Sequence, residues 1–335
     1  MKILISGGAG FIGHHLVEHL VKNTDWEIII FDKLTYAASG YDRLRDINCF
    51  DDKRIRIFNV DLENEISSGI KQEVGTEVDF IIHMAAETHV DRSIEDPWPF
   101  IKSNVIGTAR MLDYARWLNQ HKAPWPPLKQ FVYFSTDEVF GPAPKGVYYK
   151  EWDRYDSSNP YAATKAGGEE LCLAYANTYK LPVLISHTMN VFGERQHPEK
   201  FIPMIIKHVL NGETMLIHSD KTRTVPGSRC WIHARTVADA LLYIIYHKTV
   251  QRDKINIVGQ EMNNLVLAKY VSKVIKKPLK YELVDFHSSR PGHDLRYALD
   301  GRKLKKLGFR PHYNLRESLA KTVNWLLEND KWLNV

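Results

Sequence analysis

Short apolar runs alternate with longer amphipathic ones through the N-terminal half of the chain. Ile3–Ile5, Ile28–Phe31, Ile55–Phe58, Phe80–His83 and Phe131–Phe134 are blocks of strand length with the near-continuous hydrophobicity of strands buried on both faces. Between them, Phe11–Lys22 and Pro97–Gln120 space their apolar residues as helices do. Strand and helix in alternation predict βαβ units, and so a parallel sheet covered by helices on both sides. A further unit follows, with a helix over Tyr161–Tyr179 and a strand at Val183–Ser186. Beyond Thr188 the pattern loosens. Asn190–Pro203 and Ser219–Trp231 are rich in Pro, Gly and charge, and are expected to be loops that enclose a ligand. Helices are expected again at Arg235–His247, Leu265–Lys276 and Arg316–Asn329. The expected division is a large α/β domain over residues 1–188, to which 230–255 returns, and a smaller C-terminal α/β domain over 189–335 that closes a cleft.

Composition narrows the class. A chain of 335 residues with 44% hydrophobic and 25% charged residues can bury a core without staples. The net charge is +5, but Lys and Arg are scattered and form no run of five or more, which argues against a polybasic nucleic-acid partner. A mild positive excess suits a small anionic substrate. Cys49, Cys172 and Cys230 are far apart and odd in number, so neither a disulfide framework nor a zinc site is expected, and a reducing cytoplasm is the natural compartment. Met1 runs directly into strand-like Lys2–Ser6, which leaves no room for a signal peptide. Apolar runs such as Ala240–Tyr246 are too short to span a membrane.

Two motifs carry chemistry. Gly7, Gly10 and Gly13 sit between the first strand and the first helix. Glycines there allow a tight turn and let backbone N–H groups approach a pyrophosphate, whose charge the helix N-terminus favours. Asp32 ends the second strand about 20 residues on, where a carboxylate accepts hydrogen bonds from an adenosine ribose and repels a 2′-phosphate. The pair selects NAD over NADP; an ordinary βαβ turn with a capping Asp is the plainer alternative. Asp61-Leu62, after the third strand, can hold the adenine edge or merely cap a helix. The second motif is Tyr161 with Lys165, four apart and hence on one helical face. A nearby ammonium is expected to lower the phenol's pKa and make it a base. At the end of the Phe131–Phe134 strand stands Ser135-Thr136-Asp137-Glu138, where catalytic groups of open α/β sheets gather. Thr136 can hydrogen-bond the hydroxyl that Tyr161 deprotonates. Two adjacent acids point to one protonated and one ionised carboxyl, although an acidic pair at a helix start also complements the dipole.

Gly7–Gly13, Ser135/Thr136 and Tyr161/Lys165 resemble the extended short-chain dehydrogenase/reductase superfamily, with its Rossmann-type doubly wound sheet. Longer stretches are similar to its dTDP-glucose 4,6-dehydratase branch: Asp32–Ala37, Ala85–Ser93, Ser135–Gly141, Pro198–Pro203 and Arg290–Tyr297. The resemblance spans essentially the whole chain, and the Asp137–Glu138 pair is its specific element. It implies an NAD-dependent lyase acting on a nucleoside-diphosphate hexose, dTDP-glucose or UDP-glucose, in deoxysugar biosynthesis such as that of rhamnose. Tyr161 would be the base for C4 oxidation, with Lys165 holding the nicotinamide ribose and Thr136 orienting the C4 hydroxyl. Glu138 would take the C5 proton and later return it, and Asp137 would protonate the departing C6 hydroxyl. The resemblance implies cofactor contacts from Phe11, Ile12, Asp32, Lys33, Thr35, Asp61, Leu62, Ala85, Ala86 and Thr88. It implies substrate contacts from His89, Asn190, Lys200, Arg229, Arg290 and His293, and a homodimer built on the helices over 97–120 and 161–179.

Three departures fall in the expected nucleotide-sugar site. The run Asn190-Val191-Phe192-Gly193-Glu194 replaces the family's Asn-Asn-Tyr-Gly-Pro. Arg229-Cys230-Trp231 replaces Arg-Asp-Trp after an apparent insertion around Thr222–Ser228, and Ser289 stands where an Asp is usual. None touches Thr136, Asp137, Glu138, Tyr161 or Lys165. A 4-epimerase or decarboxylase of the same superfamily is the rival enzyme, and a non-catalytic NAD-binding protein the rival from another class.

Overall fold

The apolar blocks become the strands of one parallel sheet. In the computed structural model, which describes residues 1–121, 127–247, 251–285, 295–312 and 314–334, the strands in chain order are β1 (Lys2–Ser6), β2 (Glu27–Asp32), β3 (Ile55–Asn59), β4 (Phe80–His83), β5 (Gln130–Thr136), β6 (Val183–Thr188), β7 (Asn190–Phe192), β8 (Thr214–Ser219), β9 (Ser228–His233), β10 (Arg252–Ile257), β11 (Gln260–Asn263) and β12 (Lys280–Asp285). Seven of them stand in the order β10-β6-β5-β4-β1-β2-β3. The neighbouring strands of this sheet run parallel. This is a Rossmann-type doubly wound sheet. The chain moves outward from β1 to β3 and then returns to β4 on the other side of β1. The carboxyl ends of β1 and β4 therefore diverge into the crevice where such sheets bind ligands.

The alternation of side chains along each strand sorts the core into two layers. Ile3, Ile5, Ile28 and Ile30 pack with Leu16, Val17 and Leu20 of helix Phe11–Asn23 and with Val237, Leu241 and Ile244 of helix Ala234–His247. Leu4, Ile29 and Phe31 face the other way, toward Met111, Leu112 and Leu118 of helix Gly107–His121 and Cys172 and Leu173 of helix Pro160–Tyr179. Each fully buried Ile or Leu contributes roughly 1.5–3 kcal/mol, so this double layer is what holds the ends of the strands in place. A separate cluster joins Ile202, Ile205 and Ile206 of helix Phe201–Asn211 to Leu267 and Val271 of helix Asn264–Ile275 and to Leu319 and Val323 of helix Leu315–Glu328.

Two expectations need correction. The Pro- and Gly-rich stretches after Thr188 are not loops throughout. They contain β7 and β9, and β9 pairs with β7 on one side and β11 on the other in a three-stranded sheet. Helix Phe201–Asn211 also begins within the first stretch. Pairing partners far along the chain override the local composition there. The helix expected over 97–120 is interrupted: Trp98–Phe100 leads into a π-helical segment, Ile101–Ile106, before Gly107–His121. Asn104 explains the position of that bulge. Its Oδ1 accepts from Glu87 N (2.9 Å), and its Nδ2 donates to Glu87 O and to Thr164 Oγ1 (both 3.0 Å). The widened turn thus clamps the segment after β4 to helix Pro160–Tyr179. No described helix is long and apolar enough to cross a membrane.

Candidate active site

β1 ends at Ser6, and the chain turns at Gly7 with φ 77°. A Cβ on Gly7 would come within 2.8 Å of Ala85 N, and one on Gly13 within 2.0 Å of Gly7 O. Only glycine fits at either place, so the backbone itself forms the wall of a cradle. Gly10 caps helix Phe11–Asn23 with no side-chain bond, which leaves the first N–H groups of the helix turned toward the cradle. Asp32 closes the far end. Its Oδ2 accepts from Ala9 N (3.0 Å) and its Oδ1 from Leu34 N (2.9 Å). Burial pushes its pKa up, against those hydrogen bonds and the charge of Arg43, which pull it down. The cradle opens into a pocket of about 380 Å³. Every residue expected to hold the cofactor, Gly7 through Thr88 together with Tyr161 and Lys165, lines it. A cradle that excludes a Cβ, an uncapped helix N-terminus and a terminal carboxylate together fit a dinucleotide.

The candidate reacting groups stand at the end of β5. Thr136 Oγ1 accepts from Glu138 N (3.3 Å), which starts the 3₁₀ turn Asp137–Phe140 and turns both acids toward the pocket. Asn159 couples this turn to the helix opposite. Its Oδ1 caps helix Pro160–Tyr179 by accepting from Ala162 N (2.8 Å), and its Nδ2 donates to Glu138 Oε2 (3.1 Å). Ser93 Oγ accepts from Tyr161 N (3.1 Å) and fixes the helix start from the other side. Asp137 is 3% exposed, and its Oδ2 has no hydrogen-bond partner among the described residues. Burial and then the neighbouring Glu138 charge push its pKa up to about 7. An acid that holds its proton near neutrality, beside one fixed by an amide donor, is the division of labour a general acid and a general base require.

Tyr161 departs from expectation. Burial first, and then the charges of Glu138 and Asp137, push its pKa above the ordinary phenol value, while a hydrogen bond with Thr136 pulls it down. Lys165 does not offset this, because its Nζ donates to Phe134 O (2.7 Å) and lies 4.2 Å from the Tyr133 ring centre. Burial lowers the pKa of Lys165 itself to about 8. The lysine alone therefore does not make the phenol a base.

The residues expected to bind substrate divide three ways. Asn190 and Lys200 line the pocket. Lys200 is half-buried, which lowers its pKa, and its Nζ lies 3.5 Å from Glu199 Oε1. His89 and Arg229 are not on the wall. His89 spends Nδ1 capping helix Val90–Glu95, accepting from Arg92 N (3.4 Å). Arg229 donates through Nη1 to Ser228 O (2.8 Å) and Leu295 O (3.0 Å) and stacks 4.6 Å from the Tyr297 ring. Its charge still reaches Asp137, whose pKa it lowers. Arg290 and His293 lie outside the described residues.

Several pocket residues were not foreseen. Glu199 gathers Arg92 (3.3 Å), Lys200 (3.5 Å) and His89 (3.9 Å) around one carboxylate. The Pro198-Glu199-Lys200 run carried the signal for it. Thr188 lines the pocket at the end of β6, level with Thr136 in the strand register. Arg43 lines it beneath Ala37, donating to Ala37 O (2.6 Å) and Arg195 O (3.0 Å), and nothing in the sequence marks it.

Comparison with known proteins agrees with this geometry. The profile of the family described as GDP-mannose 4,6 dehydratase matches residues 4–322. A dTDP-glucose 4,6-dehydratase of Escherichia coli is 35% identical over 99% of this chain and 95% of its own. The dTDP-glucose 4,6-dehydratase DesIV of Streptomyces venezuelae, solved with NAD bound, is 33% identical over 99% of this chain and 98% of its own, with a TM-score of 0.86. A UDP-glucose 4-epimerase of Thermus thermophilus, also solved with NAD, shares the fold at TM-score 0.83 but only 25% identity, over 98% of this chain and 99% of its own.

Proposed function

The chain belongs to the GDP-mannose 4,6-dehydratase family, as an NAD-dependent nucleotide-sugar dehydratase, and we propose that its substrate is dTDP-glucose and its product the 4-keto-6-deoxy sugar. UDP-glucose is the alternative nucleotide. The observation that carries the reading is the acid pair beside Tyr161: Asp137 is buried with its Oδ2 unpartnered among the described residues, which pushes its pKa up to about 7, and Glu138 is held by Asn159. An epimerase moves a hydride and one hydroxyl proton and has no work for that pair.

Gly7, Gly10 and Gly13 would hold the pyrophosphate of NAD, Asp32 its adenosine ribose, and Tyr161 and Lys165 its nicotinamide ribose. NAD held there would supply the hydride acceptor for C4 and the hydride donor for C6. Thr136 positions the C4 hydroxyl, and Tyr161 takes its proton. Glu138 removes the C5 proton that the adjacent ketone has made acidic. Asp137 delivers its proton to the C6 hydroxyl, which leaves as water. Glu138 then gives the proton back to C5. Asn190 and Lys200 would reach the nucleotide sugar from the C-terminal segments, and a half-buried ammonium suits a diphosphate.

The same reading includes the division at 188/189, with 230–255 returning to the first domain through β10. It includes a homodimer through the helices over 98–121 and 160–179, which expose Trp98, Ile106 and Tyr179. It also includes a reducing cytoplasm, in keeping with three free, buried cysteines. The keto sugar would feed deoxysugar synthesis of the rhamnose type. Incubation with dTDP-glucose and with UDP-glucose in deuterated water, followed by proton NMR and mass spectrometry, tests the proposal. Loss of one water, a new C6 methyl signal and deuterium at C5 are expected, and the faster sugar names the nucleotide. Inversion at C4 without loss of water would replace this reading with an epimerase.

A further inference from the structure

Helix Pro160–Tyr179 buries a third polar side chain on the face that carries Tyr161 and Lys165. Glu169 follows Lys165 by four residues, as Lys165 follows Tyr161, and it is 0% exposed. Its two oxygens serve different parts of the fold. Oε1 accepts from Ser135 Oγ (2.5 Å), the residue that precedes Thr136 at the end of β5. Oε2 accepts from the Tyr155 hydroxyl and from His187 Nε2 on β6 (3.1 Å), and lies 3.4 Å from Lys254 Nζ on β10. His187 is in turn bonded through its other ring nitrogen to Asn256 (2.8 Å). One carboxylate thus joins the catalytic helix to three adjacent strands of the sheet, at the level where the reacting groups emerge.

The partners on the β6 and β10 side are sufficient to hold a buried carboxylate ionised. His187, Lys254 and Ser135 outweigh burial and bring its pKa down to about 2. That leaves a permanent negative charge one helical turn from a lysine with no ion pair of its own among the described residues. Lys165 contacts a carbonyl and an aromatic ring. Of the carboxylates, Glu169 is the one whose charge opposes the effect of burial on it, with Cys172 the other contributor. The remaining groups near the pair are Tyr133 on β5 and His83 on β4, whose pKa burial and the charge of Lys165 both lower.

We propose that Glu169 is a positioning residue for the oxidation at C4, a step that rests on the dehydratase reading above: it ties Ser135, and so the Thr136–Glu138 turn, to the catalytic helix, and it supplies the negative charge that keeps Lys165 an ammonium. No bond to Glu169 forms or breaks in the reaction. Its effect passes through Lys165 and through the placement of Thr136 against Tyr161.

The test isolates oxidation from elimination. dTDP-xylose has no C6 hydroxyl to lose, so holoenzyme can only oxidise it at C4, and the absorbance of the reduced nicotinamide reports that step alone. The rate is expected to fall on the alkaline side as Lys165 loses its proton. In Glu169→Gln the rate should drop on the order of 10- to 100-fold, and the alkaline fall should move to lower pH by about one unit. Glu169→Asp keeps the charge and should keep the wild-type pH midpoint while losing rate. A wild-type midpoint in Glu169→Gln, or the same displacement in Glu169→Asp, would overturn the proposal. Should Glu169→Gln not fold, Ser135→Ala joins Glu169→Asp. Ser135→Ala keeps the charge and removes the tie, so it should be slower with an unmoved midpoint, and wild-type rate in it would overturn the proposal equally. If wild-type holoenzyme gave no reduced nicotinamide from dTDP-xylose, the dehydratase reading would fail, and this inference with it.

Discussion

The two halves of the pocket are built by different means. The cofactor half is made of backbone: a turn at Gly7, the first N–H groups of helix Phe11–Asn23, and positions where a Cβ would strike Gly7 O or Ala85 N. The catalytic half is made of side chains that come from β5, the helix start at Asn159, and segments beyond Thr188. Most of these are buried and several have displaced pKa values. A backbone site tolerates no added atom but needs little electrostatic adjustment. A side-chain site tolerates changes of shape but depends on each neighbour's charge.

Substitutions at Asp137 and at Gly13 separate the two most sharply. Asp137→Asn preserves volume and removes the transferable proton. Dehydration of dTDP-glucose should fall ~10²- to 10⁴-fold, while NAD remains bound at wild-type stoichiometry, read by absorbance of the denatured protein's supernatant. If NAD were lost together with activity, the halves would not be independent. Gly13→Ala is the converse. Its methyl would lie 2.0 Å from Gly7 O, so the turn must open. Overpacking of this kind costs typically 1–3 kcal/mol. The purified protein should carry little NAD, with activity recovering only as added NAD is raised. Full NAD content in Gly13→Ala would show that the turn is less constrained than its geometry requires.

The same contrast explains what could be read from sequence. Gly7, Gly10, Gly13 and Asp32 are legible in the sequence as a candidate cradle because a backbone turn of this kind is written in glycines three residues apart and a fixed offset. The strands were legible because burial on both faces demands continuous apolar runs. Asp137, Glu138, Tyr161 and Lys165 were legible as residues, but the direction of Tyr161's pKa was not. Spacing on a helix places Lys165 on the same face, yet it does not reveal that Phe134 O captures its ammonium or that two acids face the phenol. The family resemblance implies substrate contacts from His89 and Arg229, but neither lines the pocket, and capping and carbonyl bonds occupy them. Arg43 and Asn159 depend on contacts between distant segments that no local pattern encodes.

A smaller effect probes the charge balance of the catalytic half. In the proposed reaction Asp137 works as an acid while protonated, and burial pushes its pKa up to about 7, above the unfolded value. The dehydration rate should therefore be full below about 7 and decline as pH rises through it. Folding stability has the same direction in an earlier window: the contribution of this carboxyl is full below its unfolded pKa of about 4 and is lost as pH rises from there through about 7. Cys230 is buried and close enough for Asp137 to raise its pKa. Cys230→Asp puts a second negative charge beside Asp137 and should move the alkaline limb of kcat to higher pH. A limb that stays put would mean that a group other than Asp137 sets it.

The smallest effect lies at the hinge between strand and helix. Asn159 does two jobs with one amide, capping helix Pro160–Tyr179 through Oδ1 and holding Glu138 through Nδ2. Asn159→Ala removes both and should cost about 1 kcal/mol of stability for the cap, together with on the order of tenfold in rate. Asn159→Asp divides the jobs, since a carboxylate still accepts from Ala162 N but cannot donate to Glu138. It also sets a like charge beside that acid, which disfavours the ionised base. The expected result is a protein as resistant to denaturant as the parent, with a dehydration rate as low as that of Asn159→Ala and partial recovery as pH rises. Equal stability with an undiminished rate would mean that Glu138 is aimed by the turn at Thr136 alone, and the catalytic half would then owe more to backbone than its buried side chains imply.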